Sequence, residues 1–286
     1  TEGDEYVKDA QEVEKQLFRW QLFMGKQLGF QQQCAWKTPK RIGSAFCLRK
    51  HKYLDPVLTD KMHKMRPVED ISQSGWRVAE KAAAVAWSFL ITNHDGDHFA
   101  LTNISKFVAI AMARQRDMRE VFGVNMGVLE VTTDIADYFV VMLWERVLSG
   151  CKRILDAAAK RRVRYVAVEN IRKGKRRVHF GMSASRCFIN LSLEMLLRYM
   201  EYGLYVSCVQ VYVGVLVRHA NGRSIPMGGY MASAAAIAGG IDMEECFNCN
   251  PRRDALLLSG DIILKGIRVQ DDTKLLFGYD ATNVDT

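Results

Sequence analysis

The chain has 286 residues, 49% of them hydrophobic and 25% charged. That length supports one large domain or two modest ones with a real core, and the composition excludes disorder as the default state. A net charge of +8 and a pI near 9.1 suit a polyanionic partner but say nothing about fold.

Seven cysteines stand at positions 34, 47, 151, 187, 208, 246 and 249 without regular spacing, several in apolar runs such as Val206-Ser-Cys-Val-Gln-Val-Tyr-Val213. This is the usage of an intracellular, reducing compartment with buried thiols. Cys246-Phe-Asn-Cys249 lacks the second ligand pair that zinc needs and reads as a loop with two free thiols. The apolar run from Ala82 to Thr92 is broken by Ser88 and falls far short of the about 20 residues of a spanning helix, so no membrane partner is expected. The start, Thr1-Glu-Gly-Asp-Glu5, has neither a signal-peptide pattern nor an initiator Met. That fits a piece of a longer protein, working with further domains or subunits.

In chain order, Val13, Leu17, Trp20, Phe23 and Met24 recur at helical spacing before Gly29 and predict a packing helix over residues 4–29. Residues 34–60 are basic and irregular. Residues 76–92 predict an Ala-rich buried helix. Asn93-His-Asp-Gly-Asp-His98 has two His and two Asp, as a metal site would, but Asp-Gly is an ordinary turn dipeptide and the turn is the preferred reading. A helix over 101–120, a strand over Met126–Val131 and helical spacing from Phe139 to Leu148 follow.

Residues 152–177 are the most basic part of the chain, with a strand, Tyr165–Val168, inside them. The density of cations around Arg161, Arg162, Arg164, Lys173, Lys175, Arg176 and Arg177 points to nucleic-acid phosphate contacts. Residues 188–201 predict a Leu/Met-rich helix, 204–217 are β-like, and His219-Ala-Asn-Gly222 reads as a hairpin turn. Ala232–Ile241 is a small-residue helix. No internal repeat and no linker composition marks a domain boundary.

Three pieces carry chemistry. Asp134 stands where the strand from Met126 ends. Ser224-Ile-Pro226-Met-Gly228-Gly229 is a tight glycine turn that opens the small-residue helix. Asp271-Asp272 lies between two short apolar runs, as at a β-hairpin tip. Nucleotidyl transfer needs two divalent ions roughly 4 Å apart, and carboxylates on separate strands can bracket them. Mg²⁺ takes hard oxygen ligands, and packed acids without a metal would repel. Paired glycines let the backbone approach a base pair or phosphate where a side chain would clash.

Asp134-Ile-Ala-Asp-Tyr-Phe139, Ile225-Pro-Met-Gly-Gly229 and Arg268-Val-Gln-Asp-Asp272 resemble motifs A, B and C of the reverse transcriptase palm, in order and general spacing. Lys61-Met-His-Lys64-Met-Arg66-Pro-Val68, followed by Ser74-Gly75 and a helix, resembles the fingers segment of Penelope-like and telomerase-related reverse transcriptases. The resemblance runs from this segment to Phe277. It implies an α+β fold, the fingers–palm of a right-hand polymerase with an antiparallel palm sheet packed on helices. Residues 1–130 would be an N-terminal helix and fingers-like region. Residues 131–286 would be palm-like, with a basic insertion at about 150–200 and no thumb.

The implied activity is RNA-directed DNA polymerisation by two-metal nucleotidyl transfer onto a primer 3′-OH. Asp134, Asp271 and Asp272 would be the catalytic acids and ligands of two Mg²⁺ or Mn²⁺ ions. Lys64 and Arg66 would reach the incoming triphosphate. Phe139 would press on a ribose 2′-OH and favour dNTPs. Pro226, Gly228 and Gly229 would border the nucleotide and template, and the basic stretch would track an RNA or DNA template-primer. Val269 replaces the family's usual aromatic, Gln270 a small residue, and Met227 a polar one. Asp261, in Ser259-Gly-Asp261, is a rival for the motif C acid. Two alternatives remain: a viral RNA-dependent RNA polymerase subunit, and a catalytically inactive palm-like or nucleoprotein-type RNA-binding scaffold.

Overall fold

A computed structural model of the chain describes residues 4–7, 43–49, 65–70, 77–135, 138–171, 174–205, 208–212, 215–219, 222–225, 227–257 and 261–282. It is a mixed helix and sheet structure whose strand pairs are antiparallel except one. It divides into two units, each built from two stretches: Thr1–Trp87 with Arg162–Ala232, and Ser88–Arg161 with Ser233–Thr286.

The first unit holds two sheets. Strands β1 (Asp4–Val7), β2 (Gly43–Arg49), β3 (Met65–Asp70), β8 (Cys208–Tyr212) and β9 (Val215–His219) form one, in the order β1-β9-β8-β2-β3. The exception to antiparallel pairing is β2 with β8. The other sheet is β6 (Val178–Phe180), β5 (Tyr165–Glu169) and β7 (Phe188–Ser192), with β5 central. Val166, Ala167 and Val168 are fully buried there. Helix α1 (Arg77–Thr92) brings Trp87 into this unit, where its indole N–H donates to the Leu196 carbonyl at 3.2 Å. Leu196 belongs to α5 (Leu193–Tyr205).

Several expectations change in this unit. β1 begins inside the stretch expected to be helical, and the rest of that stretch lies outside the described residues. β2 gives order to part of the basic stretch expected to be irregular. The expected helix over 188–201 starts as strand β7, because Phe188, Ile189 and Leu191 are needed against β5. Within the β-like run 204–217, Leu204 and Tyr205 end α5, and β8 and β9 pair antiparallel. The hairpin turn expected at His219–Gly222 has its centre outside the described residues.

The second unit is a three-stranded antiparallel sheet, β10-β11-β4, formed by β4 (Met126–Asp134), β10 (Ile262–Val269) and β11 (Asp272–Asp280). One face packs on α2 (Phe107–Phe122): Gly278 leaves room for Met118, and Lys274 lies 5.5 Å from the Phe107 ring centroid while pairing with Glu130. The short helix α3 (Tyr138–Val141), then α4 (Trp144–Lys160) and α6 (Ala232–Asn248), supply the rest of the core; α7 (Pro251–Leu256) follows. On α4, Trp144, Val147, Cys151, Ile154, Leu155 and Ala158 form one buried stripe at helical spacing. Each large apolar side chain buried this way contributes about 1.5–3 kcal/mol. The small residues of α6 let α4 come very close: a Cβ on Gly150 would collide with the Ala238 carbonyl oxygen. No helix is long and apolar enough to cross a membrane among the described residues.

Asp242 of α6 is fully buried and is held by α4: Ser149 Oγ at 2.6 Å, Arg153 Nε at 2.9 Å and Arg146 Nη1 at 3.0 Å all donate to it. Burial opposes its charge, but these three donors outweigh burial and hold the carboxyl below the usual range. Because the folded value lies below the unfolded one, the stabilisation is complete above about pH 3.9 and is lost as the pH falls through the folded value. Urea midpoints of the parent and Asp242→Asn are therefore expected to differ most at neutral pH. The gap should begin to narrow only below about pH 3.9. A gap that does not change between pH 7 and pH 3 would remove Asp242 from this role.

Two smaller readings are settled in this unit. The turn at residues 93–98 closes on α6, with His94 Nε2 2.7 Å from Glu245 Oε1 and His98 stacked on His94. Cys246 is on α6 instead of in a loop, and both Cys246 and Cys249 are free thiols.

Candidate active site

The hairpin β10–β11 closes through a two-residue turn, Gln270-Asp271, with Val269 opposite Asp272. Gln270 has φ 58, and Asp271 is not in the positive-φ region. That sign pattern is that of a type II′ turn, in which glycine is the favoured first residue. A non-glycine residue there costs on the order of 1–3 kcal/mol, and it persists only when the surroundings hold it. Two bonds do so: the Gln270 side-chain amide donates to Ser233 Oγ at 3.2 Å, and the Gln270 carbonyl accepts from Arg268 Nη1 at 2.9 Å.

β4 pairs with β11 so that Asp134 lies directly opposite Asp272. Immediately beyond, the Ile135 N–H donates to the Asp271 carbonyl at 3.3 Å. Cross-strand partners have Cβ atoms about 4.5–5.5 Å apart on one face of the sheet, and like charges so placed are unfavourable. Asp134 and Asp272 are exposed and Asp271 is half-buried; among the described residues none of the three has an ion-pair partner. The sheet thus gathers the three predicted acids at one end. Asp261 sits at the far end of β10, away from the tip, so it does not share this location.

Beneath the turn lies a buried network that sequence reasoning did not identify. Arg268 is 2% exposed. Its Nε and Nη2 donate to the two oxygens of Glu244, Nη1 to the Tyr138 hydroxyl at 3.3 Å, and Nη2 to the Ile237 carbonyl at 3.3 Å. Burial works against this charge, and Glu244 more than restores it. Glu244 also accepts the Phe99 N–H at 3.0 Å. Tyr138 donates to the Ala236 carbonyl at 2.7 Å; burial foremost pushes its phenol up to about 12, so it stays protonated. Gly240 is required here, since a Cβ would overlap the Arg268 guanidinium. The available signal was an arginine set in an apolar strand, which needs a buried partner.

Phe139 is half-buried on α3, its ring edge-on to Tyr138 at 5.9 Å between centroids. Gly228, with φ 102, and Gly229 precede α6, and the Gly229 carbonyl accepts the Ala232 N–H. Arg66 is on β3 opposite Leu48. Lys64, Lys173 and Pro226 lie outside the described residues. Of the basic residues, Arg161, Arg162, Arg164, Lys175 and Arg177 are exposed. Arg161 bonds Asp95 at 3.2 Å, and Arg177 pairs with Glu169 at 2.6 Å and lies over the Phe188 ring. Arg176 donates to the Ile171 carbonyl, and burial lowers its pKa.

The donor set at the hairpin tip is hard oxygen. Among the described residues no three His, Cys, Asp or Glu side chains converge as a metal cage. Mg²⁺ does not require one: it uses one or two carboxylates and fills its shell with water and substrate phosphates. The opposed pair Asp134–Asp272, with Asp271 beside it, fits that requirement, and a cation would relieve their repulsion.

No protein-family model matches the chain, and no curated protein matches it significantly. Solved structures do. Apo telomerase from Candida tropicalis overlays at a TM-score of 0.54 with 8% identity, covering 84% of this chain and 39% of that one. Telomerase from Candida albicans in complex with the TWJ fragment of telomeric RNA gives 0.51 with 13% identity over 84% and 39%. The Candida tropicalis telomerase complex with the same kind of fragment gives 0.51 with 9% identity over 84% and 36%. The chain therefore spans about two fifths of the telomerase chains it overlays. At these identities the likeness speaks to fold alone, and the chain has a polymerase-like fold.

Proposed function

We propose that this chain carries the fingers and palm of an RNA-directed DNA polymerase, adding deoxynucleotides to a primer 3′-OH on an RNA template. The observation that carries the reading is the register of β4 on β11, which sets Asp134 opposite Asp272 with Asp271 in the adjoining turn. The overlay on telomerase supports it. Asp134, Asp271 and Asp272 are the residues that would hold two Mg²⁺ ions. Such ions align the attacking oxygen with the triphosphate and neutralise developing charge.

The chain's own residues have the remaining tasks. Arg268 and Ser233 hold the turn that carries Asp271. Phe139 borders the sugar, Gly228 and Gly229 admit backbone close to the nucleotide, and Lys64 and Arg66 neutralise the triphosphate. Arg162, Arg164 and Lys175 are free to meet nucleic-acid phosphates, with Arg161, Lys173, Arg176 and Arg177 beside them in sequence. These cations make salt-sensitive contacts, so template-primer affinity should fall steeply with added salt.

Phe139→Ala tests the sugar assignment. The parent is expected to prefer dNTPs in single-nucleotide extension, and the variant to lose roughly 10- to 100-fold of that preference, the range that shape alone gives against one hydroxyl. A parent that prefers rNTPs would turn the reading toward an RNA-dependent RNA polymerase. Unchanged selectivity in the variant would take Phe139 out of the sugar contact.

A further inference from the structure

Resting on the polymerase reading, we infer that Arg268 is a positioning residue: its buried guanidinium fixes the strained Gln270-Asp271 turn and so sets where the Asp271 carboxylate stands. All five N–H groups of this guanidinium have an acceptor. Three acceptors, both Glu244 oxygens and the Ile237 carbonyl, belong to α6; the Tyr138 hydroxyl belongs to α3; the fifth is the Gln270 carbonyl. The same residue is tied through its main chain, its N–H donating to the Phe99 carbonyl and its carbonyl accepting from the Leu101 N–H, each at 2.7 Å.

Arg268 is therefore fixed on every side but one, and on that side it grips a carbonyl of the turn. A planar fork of this kind cannot be replaced by a single ammonium, which has no second arm to span Gln270 and Glu244 together. Gln270 sits in backbone space that a side-chain-bearing residue leaves unless it is held. Releasing its carbonyl frees the turn to relax, and the first group to move is Asp271. Ile135 moves with it, because its N–H is bonded to the Asp271 carbonyl. Arg268 thus links the helix α6 to both halves of the acid cluster without touching substrate.

The test must avoid a lone buried charge. Arg268→Met combined with Glu244→Gln removes both charges, keeps the volume and leaves an acceptor for the Phe99 N–H. Amide exchange is read at Asp271, Asp272 and Ile135, with Leu264 and Leu276 in mid-strand as internal references. The expected result is about tenfold faster exchange at the tip with the references unchanged. Primer extension should lose about 10²-fold in kcat with KM for the dNTP little altered, as misplacement of a catalytic group predicts. Arg268→Lys should fall between the parent and the double variant. Unchanged tip exchange in the folded double variant would overturn the inference. So would a loosened tip with parental kcat. A parent without polymerase activity would instead sink the functional reading, and the exchange arm would still decide whether Arg268 sets the turn.

Discussion

Asp271→Asn and Asp134→Asn are each expected to lower Mg²⁺-dependent primer extension about 10³-fold, because under the proposed function each would remove a charged ligand whose loss costs several kcal/mol of transition-state stabilisation. The same substitutions should not weaken the fold. Asp134 faces Asp272 across the ladder with no cation between them among the described residues, so Asp134→Asn in EDTA is expected to raise stability by roughly 0.2–1 kcal/mol, and Asp271→Asn, in the turn, to leave it about unchanged. Mg²⁺ should stabilise the parent by mass action and the Asn variants much less. Loss of activity together with a small gain in metal-free stability is a signature that a damaged core cannot produce. Parental activity in Asp271→Asn would remove the acids from the mechanism.

Glu244→Ala is expected to cost about 3–5 kcal/mol of stability, the effect of leaving a buried cation without its partner. Arg268 loses two of its five acceptors in that variant, and the Phe99 N–H loses its only one described. Glu244→Gln should cost less, because it still accepts from both. Urea denaturation followed by a unit-2 probe, such as Trp144 fluorescence, measures the difference. A loss below about 1 kcal/mol for Glu244→Ala would mean that Arg268 is solvated and the network loose.

The sheet at the centre of the candidate site was legible in the sequence. Val128 to Asp134 and Ile262 to Phe277 alternate or cluster apolar residues around acids, and the structure forms strands there with Asp271 in the turn. The small-residue helix after Gly229 was legible for the same local reason. Arg268's role was not, because its partners Tyr138 and Glu244 lie far away in the chain and become neighbours only through packing. The division into interleaved units was equally hidden, since nothing local marks residues 87–88 or 161–162 as crossings. β1 pairs with β9, a partner more than two hundred positions away, so its short run carried no periodic signal against the helical spacing that follows it. Where a residue's structure depends on its nearest neighbours the chain could be read directly; where it depends on a distant partner, it could not.

The site also shows how the departures in Arg268-Val-Gln-Asp-Asp272 fit together. Gln270 takes a backbone conformation that favours glycine, yet its side chain reaches Ser233 and its carbonyl meets Arg268. A glycine there would relax the backbone and forfeit the side-chain anchor. The sequence thus exchanges local comfort for a tip tied to α6 at two points.

The measurement that bears most directly on the proposed function is single-nucleotide extension of a DNA primer on an RNA template by the folded chain, with Mg²⁺ and either dNTPs or rNTPs. The account predicts incorporation of the templated dNTP, little of the rNTP, and none when EDTA replaces Mg²⁺. Incorporation of rNTPs in preference, or of neither nucleotide by a chain that is folded and binds the template-primer, would contradict it.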